Sequence, residues 1–254
     1  MLINLLKTLK NLNNIEFMNN SRKKVVVLSG AGISAESGIA TFRDSNGLWE
    51  GHDVMEVASP MGWQKNPSLV LEFYNQRRKQ ALTAEPNEGH KALANLEKHF
   101  DVTIITQNVD NLHEKAGSTN IIHLHGELFK ARSTTDPNLV YDMKSWELNL
   151  GDKCEKGSQL RPHIVWFYED VPLMETAVYE AVAADIFIVV GTSMVVYPAA
   201  GLIDYINKEV PKYIVDVKIP QIQTHKYHNL NLIEDKASTG LTRLSEELIE
   251  KFAL

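Results

Sequence analysis

Short runs of β-branched and other apolar residues recur along this chain and are separated by longer segments of helical pattern. The short runs are typical of strands that are buried on both faces of a parallel sheet. They lie at residues 25–29, 101–106, 121–126, 161–167, 185–190 and 212–217. The longer segments predict helices at residues 68–82, 88–99, 174–184, 198–208 and 238–252. In the last helix Leu241, Leu244 and Leu248 form an apolar face, and Ser238 is its expected cap.

Strands and helices that alternate in this way indicate a doubly wound α/β fold around a mostly parallel, Rossmann-like sheet. Residues 130–160 interrupt the alternation, because they are polar, show little periodicity and carry turn signals such as Asp136-Pro137. We expect them to form a small inserted lobe. The predicted organisation is an N-terminal extension over residues 1–22 and one domain over residues 23–254 that carries the lobe.

The N-terminal extension has three interpretations. Its leucines at positions 2, 5, 6, 9 and 12 have helical spacing, with Lys7 and Lys10 between them. The first interpretation is a surface helix that packs on the domain, and the second is a membrane-surface anchor, for which two lysines are few. In the third, Met18 is the natural start and the segment is dispensable. The segment is too polar for a signal peptide.

Composition excludes several kinds of partner and site. The chain has 254 residues and a net charge of −6, so it lacks the basic footprint of a nucleic-acid-binding protein. No uncharged apolar run approaches the length of a membrane span. Cys154 is the single cysteine, which excludes a disulfide within the chain and a zinc site built from several cysteines. We expect a cytoplasmic protein that binds neither nucleic acid nor membrane.

The strand at 25–29 runs into a glycine-rich turn with the spacing of a dinucleotide site. Gly30, Gly32 and Ala35 match the pattern G-x-G-x-x-A. Gly30 permits the tight turn, Gly32 lets the backbone approach a pyrophosphate, and Ala35 is small enough for the next helix to pack on the strand. Free N–H groups at the start of that helix would face the phosphates. The other interpretation is that the glycines serve a purely steric purpose.

Two further strands end in polar residues. These are Gln107, Asn108 and Asp110 after residues 101–106, and Gly191, Thr192 and Ser193 after residues 185–190. Open α/β sheets bind their ligands at the carboxyl ends of strands, so both groups are candidates for holding a ligand. Asn108 or Asp110 can also cap the helix that follows, and the two roles are compatible.

Two residue pairs are candidates for chemistry. Alternation along the strand at 121–126 puts His123 and His125 on one face. There the two can bind a metal ion together, or one of them can act as a general base. A structural histidine is the alternative. Tyr74 and Arg77 lie three positions apart on a predicted helix and can bind a carboxylate together. The alternative there is a surface arginine stacked on a half-buried tyrosine.

A long loop at residues 39–49 follows the glycine turn and carries Phe42 and Arg43. A loop of this length beside a ligand site is often a functional cover. Phe42 would then shield a reacting ring from water, and Arg43 would contact a phosphate. A core phenylalanine with a solvated arginine is the alternative.

In combination these segments resemble the sirtuin family of NAD-dependent protein-lysine deacylases. The resemblance covers about residues 24–248, and the motifs occur in the family's order. They are residues 30–39 (GAGISAESGI), 42–43 (FR), 106–110 (TQNVD), 125–126 (HG), 165–167 (VWF), 191–193 (GTS) and 195–199 (VVYPA).

The resemblance implies a role for each matching residue. NAD would be consumed as a co-substrate, because the acyl group of an acyl-lysine passes to its ribose and nicotinamide leaves. His125 would be the general base, and Asn108 would act beside it at the nicotinamide ribose. The implied cofactor-binding residues are Gly30, Ala31, Gly32, Ser34, Ala35, Thr41, Phe42, Arg43, Trp49, Gln107, Asn108, Asp110, Gly191, Thr192, Ser193, Val217 and Ala237.

Within the family, Tyr74 and Arg77 resemble the Tyr-x-x-Arg pair of the class III branch, which contacts the carboxylate of succinyl- or malonyl-lysine. The resemblance therefore implies removal of acidic acyl groups, and also acetyl, from protein lysines, with O-acyl-ADP-ribose as product. The implied substrate-binding residues are Tyr74, Arg77, Val165, Trp166 and Phe167. The alternatives are mono-ADP-ribosyl transfer and a module that senses NAD without turnover. We expect a monomer.

The chain departs from the family pattern at four places. The family's small lobe holds zinc through four cysteines, whereas this lobe has Cys154 alone, so we expect no metal and no zinc. Tyr168 stands where the family has glycine, which would reshape the peptide channel. Ala40 replaces a frequent proline in the cofactor loop. Residues 216–218 (DVK) replace Glu-Ile-Asn, which leaves the contacts near the adenosine undetermined.

Overall fold

The computed structural model describes residues 22–40, 48–49 and 51–253. The interpretations of residues 1–21 and three cofactor candidates, Thr41, Phe42 and Arg43, lie outside the described residues. Within the described part of the chain, no helix is long and apolar enough to cross a membrane.

The described chain consists of strands and helices that largely alternate. The strands are β1 (Lys24–Ser29), β2 (Leu48–Trp49), β3 (His52–Asp53), β4 (Asp101–Thr106), β5 (Ile121–His123), β6 (Gly126–Ser133), β7 (Val140–Asp142), β8 (Leu160–Ile164), β9 (Ile186–Val190), β10 (Lys212–Asp216) and β11 (Leu230–Glu234). The α-helices are α1 (Val54–Val57), α2 (Pro60–Lys65), α3 (Pro67–Thr83), α4 (Glu88–Leu96), α5 (Leu112–Ala116), α6 (Met174–Val182) and α7 (Ala237–Phe252). Short 3₁₀ helices lie at Ala31–Ser37, Ala199–Tyr205 and Thr224–Lys226.

Six strands form one sheet in the order β11-β10-β9-β1-β4-β5, and all neighbouring pairs are parallel. The predicted doubly wound, Rossmann-like fold is thereby confirmed. The chain runs outward from β1 to β4 and β5 and then returns to the other side of β1 for β9, β10 and β11. The topological switch point lies between β1 and β9, and such points are where open α/β sheets bind ligands.

Both faces of the sheet are covered, and β1 shows why its sequence is apolar throughout. Val25 and Val27 pack in one core with α4 and α7. Val26 and Leu28 pack in a second core with α6 and the 3₁₀ helix at Ala199–Tyr205. All four side chains are fully buried. A strand covered on both faces has no position left for a polar residue until it reaches its end.

The predicted small lobe is a three-stranded antiparallel sheet in the order β7-β6-β8. It extends from Gly126 to Ile164 and therefore includes more residues at both ends than the predicted segment at 130–160. Ala131 and Leu148 of the lobe pack on Leu71 of α3 in a small apolar cluster. The lobe thus rests on the helix that carries Tyr74 and Arg77.

Some predicted elements have other limits. The strand predicted at 121–126 ends at His123, and the strand predicted at 161–167 ends at Ile164. The helix predicted at 198–208 is a short 3₁₀ helix. The sequence does not predict the edge strand β11, because none of its five residues is buried and its sequence, LNLIE, lacks an apolar run.

Two residue roles predicted for the helices are wrong. The segment after the glycine turn is a 3₁₀ helix in which Ala35 is exposed, so this alanine does not let a helix pack on β1. Ser238 does not cap α7, whose N-cap residue is Lys236. The Ser238 hydroxyl instead donates to Glu36 at 2.8 Å and joins α7 to the segment behind the glycine turn.

Candidate functional site

A cavity of about 540 Å³ opens at the edge of the sheet where β1, β4 and β9 end. Its volume lies in the usual range for small-molecule sites. Most predicted site residues line it: Gly30, Ala31, Gly32, Trp49, Tyr74, Arg77, Gln107, Asn108, Asp110, His125, Val165, Trp166, Phe167, Gly191, Thr192 and Ser193. Four described candidates lie elsewhere: Ser34 is buried behind the wall, Ala35 and Val217 are exposed, and Ala237 is buried at the start of α7.

The wall between β1 and β9 is made of backbone. The N–H of Gly32 donates to the carbonyl of Gly191 at 2.8 Å. A Cβ on Gly32 would lie 2.6 Å from the Gly191 Cα, and a Cβ on Gly30 would lie 2.7 Å from the Thr192 Cβ. The glycines are therefore required for the contact between the two strand ends at the switch point.

Asn108 joins this backbone to its surroundings. It is buried, and its Nδ2 group donates to the Gly30 carbonyl and to the Ser34 hydroxyl, both at 3.2 Å. The Ser34 hydroxyl donates in turn to Asp110 at 3.1 Å. The side-chain amide of Asn108 is thus held in one orientation at the cavity wall.

Asp110 completes this network and also contacts the next helix, whose N-cap residue is Asn111 and not the predicted Asn108 or Asp110. One carboxylate oxygen accepts from Ser34, and the other accepts from the Leu112 N–H at 3.1 Å at the start of α5. Burial raises the pKa of Asp110, and the two hydrogen bonds oppose that rise. The carboxyl group is therefore a fixed hydrogen-bond partner in the cavity wall.

His125 faces the cavity with one ring nitrogen already used. Its Nδ1 lies 3.1 Å from the Gln107 carbonyl, which can only accept, so Nδ1 carries the proton and Nε2 is the basic nitrogen. Burial lowers the pKa of His125, although the hydrogen bond to Gln107 opposes this, and the ring is neutral at pH 7. The next residue, Gly126, has a φ of +84°, and a Cβ there would meet the His163 carbonyl at 2.0 Å. The predicted close backbone approach at this glycine is confirmed.

His123 does not share that environment, and the predicted common face of the two histidines is wrong. β5 ends at His123, and the chain turns at Leu124 and His125. The Nε2 of His123 lies 2.6 Å from Glu114, and its Nδ1 lies 3.2 Å from the Asn108 carbonyl. Burial acts to lower the pKa of His123, but the pairing with Glu114 outweighs it and raises the pKa. His123 therefore supports Asn108 from behind the site.

His123 and His125 do not form the metal pair given as one alternative, because their rings have different surroundings. Among the described residues there is no group of three or more His, Cys, Asp or Glu side chains that could hold a metal ion.

Tyr74 of α3 is fully buried rather than half-buried. The indole N–H of Trp166 donates to the Tyr74 hydroxyl at 3.1 Å, which leaves the hydroxyl its own proton to donate to a ligand. The ring packs edge-on against Phe73 and Trp49. Burial raises the pKa of Tyr74, so the phenol keeps its proton at neutral pH.

Arg77 lines the same cavity one helical turn after Tyr74. Its guanidinium carbon lies 5.5 Å from the centre of the Phe73 ring. Gln80 and the small residue Ala81 continue this wall along α3. One wall of the cavity thus presents a hydroxyl donor and a cation beside a small side chain.

A carboxylate whose role sequence reasoning missed holds the loop after β8. Glu169 accepts from the Arg161 guanidinium at 2.6 and 3.1 Å, from Arg132 at 3.0 Å and from the Trp166 backbone N–H at 2.8 Å. The Arg161 guanidinium also lies 3.2 Å from the centre of the Trp166 ring. Burial acts to raise the pKa of Glu169, but these donors lower it. No local pattern signals the cluster, because its charges come from separate strands and a loop.

Tyr168 stands at the mouth of the cavity with a left-handed backbone. Its φ is +70°, and its side chain is 77% exposed. Glycine adopts this conformation without strain, whereas other residues rarely do. Tyr197 and Val195, also exposed, line the same mouth. The chain therefore keeps a backbone suited to glycine while it carries an aromatic ring there.

The donor groups of the cavity suit a ligand rich in phosphate and hydroxyl oxygens. They are the hydroxyls of Thr192 and Ser193 and the second amide proton of Gln107, and the side-chain oxygen of Asn108 adds an acceptor beside them. The neutral base His125 lies in the same cavity. These groups fit a dinucleotide whose ribose is presented to a base.

Comparisons with known proteins agree with this geometry. The model of the Sir2 family matches residues 30–198. An NAD-dependent protein deacylase of Helicobacter pylori is 56% identical over 230 residues, which cover 90% of this chain and 98% of that protein. An NAD-dependent protein deacylase of Bacteroides thetaiotaomicron is 52% identical over 232 residues, covering 89% and 98%. A solved complex of a Sir2 homologue with NAD is 36% identical, covers 97% of this chain and 94% of its own, and has a TM-score of 0.81.

Proposed function

The chain belongs to the Sir2 family, and from this premise we propose that it removes acidic acyl groups, succinyl or malonyl, from protein lysines. Without regard to the kind of acyl group, the activity is that of an NAD-dependent protein deacylase, which consumes NAD as a co-substrate. The preference for an acidic acyl group rests on this chain's own cavity.

The observation that carries the preference is that Tyr74, Arg77 and His125 line one cavity. A guanidinium and a phenol proton on one wall form a binding site for a carboxylate, since each donates to a different oxygen. The wall is otherwise apolar at Ala81 and Trp166, which lowers the local dielectric and strengthens a charge-assisted hydrogen bond. An acyl chain that ends in a carboxylate matches this arrangement, and an acetyl group uses neither donor.

The reaction converts acyl-lysine, NAD and water to lysine, nicotinamide and O-acyl-ADP-ribose. NAD supplies the ribose carbon that bonds to the acyl oxygen as nicotinamide leaves. We assign to His125 Nε2 the removal of a proton from a ribose hydroxyl, for which a neutral ring with Nδ1 tied to Gln107 is prepared. Asn108 and Asp110 hold their positions through Ser34, and we assign to Asn108 the nicotinamide ribose and to Asp110 the nicotinamide carboxamide.

The test compares succinyl-lysine and acetyl-lysine forms of one peptide. Arg77→Met keeps the side-chain stem and removes the charge, so we expect KM for the succinyl peptide to rise about 10- to 100-fold. KM for the acetyl peptide should change less than about twofold. An equal rise for both peptides would remove the carboxylate role. His125→Ala is expected to abolish deacylation of both, with the fold checked by circular dichroism.

A second comparison tests how the Tyr74 hydroxyl is oriented. Trp166→Phe removes the indole N–H that donates to Tyr74 and keeps an aromatic ring. We expect it to raise KM for the succinyl peptide about fivefold in the native background and to have no added effect in Tyr74→Phe. Additive effects of the two substitutions would show that Trp166 does not act through Tyr74.

A further inference from the structure

A buried row of hydroxyl and imidazole groups lies directly behind the strand ends that form the cavity. Ser29 ends β1 and Thr106 ends β4, and the two are partners in the parallel register. Their hydroxyl oxygens lie 2.8 Å apart, and the Ser29 hydroxyl also lies 2.9 Å from His113 Nε2. All three residues are at most 1% exposed. The catalytic steps assigned above use none of them.

The hydrogen bonds of this row have one consistent direction. The Ser29 hydroxyl has a single proton, and it donates to Thr106 Oγ1. Ser29 must therefore accept from His113, which places the His113 proton on Nε2. A buried imidazole with its proton on Nε2 sets the direction of both hydroxyls.

The row ends at a residue of the site. Thr106 Oγ1 accepts the backbone N–H of Asn108 at 3.0 Å. The Asn108 side chain donates from there to the Gly30 carbonyl and the Ser34 hydroxyl. Thr106 thus fixes the backbone of Asn108, while Gly30 and Ser34 fix its side chain.

A second buried histidine keeps the row neutral. His90 of α4 is fully buried and stacks edge-on against His113, with ring centres 5.0 Å apart. Among the described residues, neither ring nitrogen of His90 has a hydrogen-bond partner. The same holds for the Nδ1 of His113. Burial lowers the pKa of both histidines, and for His113 the neighbouring His90 adds to this. An added proton that charged either ring would have no acceptor.

We propose that Thr106 and His113 are positioning residues for NAD, acting through Asn108. His113 holds the Ser29 proton toward Thr106, and Thr106 holds the Asn108 backbone in the position from which its side chain reaches the ribose. This inference rests on the NAD-dependent activity and is independent of the acyl preference.

Two substitutions of Thr106 separate positioning from packing. Thr106→Val keeps the side-chain volume and removes the acceptor for the Asn108 N–H, whereas Thr106→Ser keeps the acceptor and removes a methyl group. We expect Thr106→Val to lower kcat/KM for NAD about 10- to 100-fold and Thr106→Ser to lower it less than about threefold. KM for the peptide should not change in either. Assays run at least about 15 °C below each variant's Tm, since that margin keeps the variants folded.

The outcomes are mutually exclusive. If packing alone matters, the serine variant is the weaker enzyme, because it leaves a cavity. That result, or equal values for the two variants, would overturn the proposal. Long-range ¹H–¹⁵N spectra of the imidazoles give a second reading. We expect His113 to be neutral and protonated on Nε2 at pH 7, and a proton on Nδ1 or on both nitrogens would also overturn it.

Discussion

The carboxyl-terminal edge of the sheet, where β1 and β9 end, and the small lobe are held together in different ways. At the edge, Gly30, Gly32 and Gly191 bring backbone onto backbone. At the lobe, Arg132 and Arg161 of two strands hold the carboxylate of Glu169 in the loop beyond. The first arrangement depends on the absence of side chains, and the second depends on paired charges.

This difference decides what each region tolerates. Where two backbone segments are in contact, an atom added between them must push apart the strands that carry them. Such an atom therefore displaces the wall of the site. A buried group of ion pairs becomes destabilising when one partner is removed, because the remaining charges stay buried without a counter-charge. We therefore expect the edge to be sensitive to size and the lobe to be sensitive to charge.

The largest effect is expected from Gly32→Ala. The new Cβ would lie 2.6 Å from the Gly191 Cα, where neither side is a flexible side chain. We expect NAD binding to weaken more than about 100-fold in isothermal titration calorimetry, because the wall of the cavity is displaced.

Gly157→Ala in the lobe is the matched control. Gly157 has a φ of +81°, and no described atom lies within 4 Å of an added Cβ. We expect a loss of about 1 kcal/mol in the free energy of unfolding from backbone strain and an unchanged Kd for NAD. If both variants lost NAD binding equally, the contrast between the two regions would be wrong.

The next effect is expected from Glu169→Gln. The substitution leaves Arg161 and Arg132, which are 10% and 12% exposed in their side chains, without a carboxylate. We expect the free energy of unfolding to fall by about 3 kcal/mol in urea denaturation, and KM for the peptide to rise while KM for NAD stays unchanged. Lys156→Met removes a lobe ion pair whose lysine is 62% exposed and should leave the free energy of unfolding nearly unchanged. Equal losses in the two variants would contradict the role of Glu169.

The same contrast separates what the sequence predicts from what it does not. β1 and β4 are predicted closely because Val25 to Leu28 and all but one of their partners are apolar, and the motifs after them are local. The sequence brings His125 and Asn108 to the cavity for the same reason, and their roles stay predictions. The Glu169 cluster is not predictable from local pattern, since Arg132 and Arg161 come from β6 and β8.

Two errors follow from reading distant geometry into a local pattern. The predicted alternation through His123 and His125 fails, because the chain turns there and enters the left-handed conformation at Gly126. Ser238 has the residue type of a helix cap, but its hydroxyl bonds to Glu36, which is 202 positions away. In both cases a contact distant in sequence decides the local conformation.

A smaller effect is expected from acid. Burial lowers the pKa of His90 to about 4, against an ordinary value of about 6.5 in the unfolded chain. The unfolded chain therefore binds a proton at pH values where the folded chain does not. Above pH 6.5 His90 does not lower the free energy of unfolding. As the pH falls from 6.5 to 4, it lowers that free energy progressively. We expect a loss of about 2 kcal/mol between pH 8 and pH 5, measured by denaturation, and His90→Leu should remove that part of the slope.

The lobe offers a comparison for this slope. Burial also lowers the pKa of His163 in β8, with Arg132 nearby, but this histidine is only partly buried. His163→Leu should change the acid dependence less than His90→Leu. A larger change at His163 would place the acid-sensitive point in the lobe and not behind the edge of the sheet.

The smallest effect is expected from removal of metal ions. The two turns of the lobe meet through a hydrogen bond of 2.7 Å between Thr135 and Ser158 and an ion pair of 2.8 Å between Lys156 and Asp136. Cys154 adds a contact of 3.5 Å to the Ser133 hydroxyl. Since hydroxyl and charge contacts already join the turns, we expect a strong chelator to change Tm by less than about 1 °C.

Cys154→Ser tests the same point from the protein side. A serine hydroxyl can take over the contact to Ser133, so we expect Tm to shift by no more than about 2 °C and NAD-dependent deacylation to persist. A thiolate ligand has no such substitute, because a neutral hydroxyl binds zinc poorly. A fall of several degrees with both chelator and Cys154→Ser would show that a metal ion holds the lobe. A fall with Cys154→Ser alone would assign the stability to packing of the buried thiol.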